Sequence, residues 1–166
     1  MPLNNFNHTV KWSEFTPATS RPSGKKEDAE IKVGSAVGYR TRQHGNEVSI
    51  LDATVNIVTV KEESWIVSDK KTALLLKHEQ GHFDITVLGT REFYKQLLLL
   101  TADSPNALDV KINTLKEEFQ KKIDECNIRY DTQTDHFLIT AIQDTWNQKI
   151  ASAKASPAGT LNDLPP

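Results

Sequence analysis

Residues 74–83 read Leu74-Leu75-Leu76-Lys77-His78-Glu79-Gln80-Gly81-His82-Phe83, and the rest of the chain has to be arranged around them. They contain the pattern H-E-x-x-H, as His78-Glu79-Gln80-Gly81-His82. On a helix, residues four apart share a face, with about 5–6 Å between Cβ atoms. Two imidazoles can therefore converge on one ion, and Glu79 can reach a water held on it. The leucines before the pattern and Phe83, Ile85, Val87 and Leu88 after it predict a largely buried helix. Two His and a Glu are costly in such a place unless something pairs with them. A metal ion would.

That helix is expected to start with Ser68 or Asp69 as N-cap and to run to about Leu100, with Gly89 in its middle as a place for a kink. Upstream, alternation replaces helical spacing. Ile31, Val33, Val37 and Tyr39 alternate with Glu30, Lys32, Arg40 and Arg42, which predicts a half-buried strand, with Gly34 and Gly38 marking a bulge or bend. His44-Gly45-Asn46 reads as a hairpin turn. The next strand carries Val48, Ile50, Ala53, Val55 and Ile57, and its parity slips at Leu51-Asp52, the sign of a bulge. Val10–Phe15 and Trp65–Val67 read as two short strands, with a polar loop over Thr16–Asp28.

Downstream, Pro105 suits the first position of a second long helix. Its stripe is Leu108, Ile112, Leu115, Phe119, Ile123, Cys126 and Tyr130. The polar run Tyr130–His136 interrupts it, and Leu138, Ile142, Trp146 and Ile150 outline a last helix. The fold class that follows is α+β: an N-terminal antiparallel sheet (about 10–67) packed against a helical C-terminal half (about 69–150). We expect one domain over 1–154 and a flexible tail over 155–166, rich in Ala, Ser, Gly and Pro.

The chain has 166 residues, a charged fraction of 25% and a net charge of -2, ordinary for a globular domain and without the basic surplus that nucleic acid would call for. One cysteine, Cys126, rules out an internal disulfide and a Cys-rich zinc site, so the ligands must be His and carboxylate. Cys126 itself reads as a small core residue. No segment reaches transmembrane length, so membrane insertion is not expected. The stretch Met1–Phe6 has neither a basic region nor an apolar core, which sets a cytoplasmic protein, or a chain trimmed after an export signal, as the expectation.

Catalytic zinc takes three protein ligands and leaves one position open. Leu88 stands six residues after His82, where a metzincin-type continuation would need His. Asp84 and Glu92 are out of phase on the helix. His136 is the best third ligand, because it sits where polar residues break a helical stripe, with Asp131 and Asp135 as alternatives for a ligand or for a carboxylate that orients an imidazole. Tyr130 is a candidate donor to a developing oxyanion, or a core tyrosine continuing the stripe. Asp84 with Arg91 is a candidate ion pair.

On these residues the chain resembles an uncharacterised bacterial family of predicted zinc-dependent, zincin-like proteases. The features are Leu-Leu-Lys-His-Glu-Gln-Gly-His-Phe-Asp-Ile (75–85), Ser64-Trp65, Tyr130-Asp131-x-x-Thr134-x-His136, Gln143-x-x-Trp146 and Val10–Phe15. The family has a glycine after the last His; here Phe137 stands there. The resemblance implies a zincin-like fold, one zinc held by His78, His82 and His136, and Glu79 as general base in peptide hydrolysis, on a peptide or protein substrate. It also implies an exported protein. In zincin-like enzymes an edge strand binds extended substrate, and Val55–Val60 is the strand expected to do so. Another metal-dependent hydrolase and a non-catalytic, metal-stabilised binding module are the rival functions. Oligomeric state is left open.

Overall fold

The computed structural model describes residues 3–166; Met1 and Pro2, read above with the N-terminal stretch, lie outside the described residues. In chain order the strands are β1 (Leu3–Asn4), β2 (Thr16–Ala18), β3 (Ala29–Glu30), β4 (Val33–His44), β5 (Glu47–Thr59), β6 (Trp65–Val67) and β7 (Thr101–Ala102). The helices are α1 (Ala73–Leu97), α2 (Pro105–Thr134) and α3 (Thr140–Ala155). The fold is α+β, with a helical C-terminal half.

The hairpin of β4 and β5 is the largest sheet feature. It pairs Val33 with Thr59 at one end and His44 with Glu47 at the other, around a turn in which Gly45 has φ +59°. Arg40 faces Asp52 while Thr41 faces Ile50, so Leu51 is the extra residue of a bulge where the parity slips. Gly34 and Gly38 stay in register and mark no bulge.

The expectation of one antiparallel sheet needs correcting. The strands form two mixed sheets, β1-β5-β4 with β7 also on β5, and β2-β6-β3. β1 runs parallel to β5 and β2 parallel to β6. These partners are too short to show a period of two, and their connections are too long to be hairpins. Val10–Phe15 is not a strand either. Trp12–Glu14 forms a single 3-10 turn, because the Glu14 carboxylate accepts from the Lys11 amide, the His8 ring and the Thr59 hydroxyl.

α1 lies between the sheets and the other two helices, which is why it is apolar on more than one side. Phe83 and Val87 pack towards the sheets; Ile85 and Leu88 pack with Ile123, Trp146 and Ile150 of α2 and α3. Its N-cap is Thr72, whose side chain accepts from the Leu75 amide. Ser68 instead donates to Ala18 O. Gly89 produces no kink: it admits Ile123, and a Cβ there would fall 2.3 Å from that side chain.

The tail expected to be loose is docked. Leu161 and Leu164 are buried in the helical core. Glu92 accepts from the Leu161 amide at 2.7 Å, and the Arg91 guanidinium donates to Ala153 O and Gly159 O. Arg91 is thus committed to main-chain carbonyls, and Asp84 pairs with Lys154 at 2.7 Å, not with Arg91. Burying a leucine stabilises by roughly 1.5–3 kcal/mol, so two leucines are enough to hold a short Ala/Ser/Pro-rich segment. No described helix is long and apolar enough to cross a membrane.

Candidate metal centre

Three elements meet at the H-E-x-x-H segment. α1 presents His78, Glu79 and His82. α2 presents Asn127 and Asp131, four apart on the side that faces α1. α3 presents Gln143. The approach of α2 depends on Gly81, inside the H-E-x-x-H pattern: a Cβ at that position would lie 2.3 Å from the Tyr130 hydroxyl.

Three donor atoms converge. His78 Nε2 and His82 Nε2 are 3.2 Å apart, and Asp131 Oδ1 lies 3.0 Å from the first and 2.9 Å from the second. Both Nδ1 atoms are engaged elsewhere, His78 with Gln143 Oε1 and His82 with Asn127 Oδ1, each at 2.9 Å. Amide oxygens only accept, so each ring carries its proton on Nδ1 and turns its Nε2 lone pair towards the other ring. In the neutral state two lone pairs and a carboxylate oxygen would face one another with no proton among them. Such a set needs a cation. Tetrahedral zinc with bonds of about 2.0–2.2 Å would space its donors about 3.3–3.6 Å apart, a few tenths of an ångström wider than the 2.9–3.2 Å seen. The residues present therefore fit zinc.

The charges tell the same story. Burial opposes a charge on His82, yet the hydrogen bond and charge of Asp131, helped by Glu79, lift its pKa to about 9. A proton can thus take the place of a metal. Burial also works against ionised Asp131, but the hydrogen bonds from His78 and His82 hold its carboxyl well below the usual range. Burial pushes His78 down. Burial raises the Glu79 carboxyl to about 7, against the pull of His82 and of the Ile31 amide, which donates to Glu79 Oε2 at 2.9 Å.

These groups line a cleft of about 240 Å³. α1 lines it on one side, residues Glu27–Val33 on another, α2 from Gln120 to Asp131 on a third, and His136 and Phe137 also border it. His136 is close but outside the donor triad: its Nδ1 is 3.5 Å from Asp131 Oδ1. α2 continues to Thr134, past the expected break at Tyr130, so Asp131 stays on the helix while His136 falls in a left-handed turn beyond it. Asp135 is the C-cap of α2 and does not line the cleft.

Tyr130 is also placed differently from an oxyanion donor. It is fully buried, stacks on His78 and spends its hydroxyl on His78 O and Gln143 rather than on the cleft. Val55–Val60 cannot be the substrate edge, because Val55 and Asn56 are paired on both sides, with β4 and β1. The strand beside the site is β3 with the residues that follow it. Asn127 went unnoticed in the sequence, although its spacing of four from Asp131 was the available signal.

The model of a family described as bacterial protein of unknown function, DUF922, matches residues 18–137. The chain belongs to that family. The DUF922 match takes in His78, Glu79, His82, Asp131 and His136 and stops before α3. No curated protein and no solved structure matches the chain.

Proposed function

We propose that this DUF922 protein is a zinc-dependent peptidase. One observation carries the reading: the Nε2 atoms of His78 and His82 and Oδ1 of Asp131 stand within 2.9–3.2 Å of one another, with Glu79 in the same cleft. His78, His82 and Asp131 would hold the ion, and His136 borders it beside Asp131. Bound there, zinc would supply a Lewis acid and a water acidic enough to act as nucleophile near neutral pH.

The chain's own residues account for the rest. Glu79 sits one residue from His78 and is anchored by the Ile31 amide, a placement suited to taking a proton from water and giving it to a leaving amine. Ile31 and Lys32 border the cleft with their amides held by Glu79 and Ser64, and they lead into β4, which pairs on one side only among the described residues. A peptide laid against the free side of β4, from Val33 onward, would bind by main-chain hydrogen bonds, with few demands on its side chains.

The test is Glu79→Gln, assayed for zinc content and for cleavage of a mixed peptide library. A peptidase keeps its zinc and loses hydrolysis by about 10²–10⁴-fold. A zinc-loaded wild type that cuts no peptide, and behaves identically to Glu79→Gln, supports a binding module instead.

A further inference from the structure

His78, Tyr130 and Gln143 close a ring of hydrogen bonds that begins and ends on one residue. His78 Nδ1–H donates to Gln143 Oε1 at 2.9 Å. The Gln143 amide Nε2 donates to the Tyr130 hydroxyl oxygen. The Tyr130 hydroxyl donates to the main-chain carbonyl of His78 at 3.3 Å.

The directions in the ring are linked to one another. A carbonyl only accepts, so the hydroxyl proton points at His78 O and the hydroxyl oxygen is left to accept from Gln143. The second amide proton of Gln143 goes to Asn147 Oδ1 at 2.9 Å, while Asn147 Nδ2 is buried without a partner, so the Gln143 and Asn147 amides are coupled and turning both over would put a donor against His78 Nδ1. In this orientation Gln143 Oε1 accepts and His78 carries its proton on Nδ1, which frees Nε2 for the donor triad. His78, Tyr130 and Gln143 are 2%, 0% and 4% exposed, so water does not substitute for any member.

We propose that Gln143 is a positioning residue that sets the tautomer of His78 and thereby the zinc affinity of the site, with Tyr130 acting through it; this rests on the zinc reading above. Gln143 lies on α3, beyond Phe137 where the family match ends, so a helix outside the matched span completes the site. The ring also gives work to a residue of the Gln143-x-x-Trp146 pair that the zinc ligands and the general base leave without a role.

The experiment uses the full chain and zinc alone, with affinity read by chelator competition and the His78 tautomer read by ¹⁵N NMR on the metal-free protein. Gln143→Leu removes the acceptor, Gln143→Glu keeps one, and Tyr130→Phe breaks the ring at its far side. We expect Gln143→Leu to weaken zinc about 10–100-fold and to mix the His78 tautomers. Tyr130→Phe should move both readouts the same way, and Gln143→Glu should hold zinc at least as tightly as wild type. Should Gln143→Leu fail to fold, the other two variants carry the comparison. An unchanged tautomer in Tyr130→Phe and Gln143→Leu overturns the proposal, as does equal weakening by Leu and Glu, which marks a merely structural contact. If the tautomer responds but wild type binds no zinc, the zinc reading falls and takes the affinity claim with it.

Discussion

The Nε2 atoms of His78 and His82 lie 3.2 Å apart, and each ring has already given its Nδ1 to a carboxamide oxygen. Two imidazoles one helical turn apart can avoid each other by choosing other rotamers. Here Gln143 and Asn127 hold them with their Nε2 atoms towards each other and their planes nearly perpendicular, with Asp131 completing the set. The arrangement is stable only with positive charge at its centre, and that requirement leads to several measurable consequences.

The metal-free protein should lose stability between about pH 7 and 9. The folded pKa of His82, about 9, lies above the ordinary imidazole value of 6.5, so its contribution is full below 6.5 and disappears as pH rises through 9. Glu79, raised to about 7 from 4.5, has the same sign but has finished titrating near 7. His78, pushed down, has the opposite sign and acts only below its ordinary range. Zinc replaces the proton, so zinc affinity should rise over the same interval. Thermal melts of apo and zinc-loaded protein across that range check this; parallel curves would contradict it.

Gly81→Ala should cost more than a helical glycine usually does. Alanine is favoured over glycine in an exposed helix by about 0.5–1 kcal/mol. At position 81 its Cβ would fall 2.3 Å from the Tyr130 hydroxyl and 2.6 Å from the ring, forcing α2 to shift. Overpacking of that kind typically costs about 1–3 kcal/mol. Because Asp131 follows Tyr130, the expected outcome is a lower unfolding midpoint together with weaker zinc binding. A stabilised variant with unchanged zinc affinity would show that α2 does not depend on this close approach.

Phe137 has φ +75°, after Asp135 at +48° and His136 at +49°. Left-handed backbone costs a residue with a Cβ about 1–2 kcal/mol, and glycine much less. Phe137→Ala loses the ring but keeps the Cβ; Phe137→Gly loses both. The glycine variant should therefore unfold at the higher denaturant concentration of the two, by about 1 kcal/mol. If alanine is equal or better, the turn carries no strain at 137.

Where the chain is long and periodic, its structure was legible. Alternation found β4 and β5, the slip at Leu51 found the bulge, and Pro105 found the start of α2. β1, β2 and β7 were hidden because two or three residues carry no period, and their partners are distant in sequence. The tail was hidden for another reason: its anchors, Arg91 and Glu92, lie on α1 and look like surface residues. Within the site, the spacing of four gave His78 and His82. For the third ligand the sequence favoured His136 over Asp131, whereas the donor atoms that converge include Asp131, because the choice depends on where α2 ends. The polar run from Tyr130 read as a break, yet Thr134 bonds back to Tyr130 O and the helix continues past it.

The most direct test of the account is zinc content by elemental analysis of wild type, Asp131→Ala and His136→Ala, purified alike and then offered zinc. The donor triad predicts about one zinc per chain in wild type, a large loss in Asp131→Ala and retention in His136→Ala. A wild type that cannot be loaded would contradict the metal centre itself. Loss in His136→Ala with retention in Asp131→Ala would contradict the triad and make His136 the third ligand.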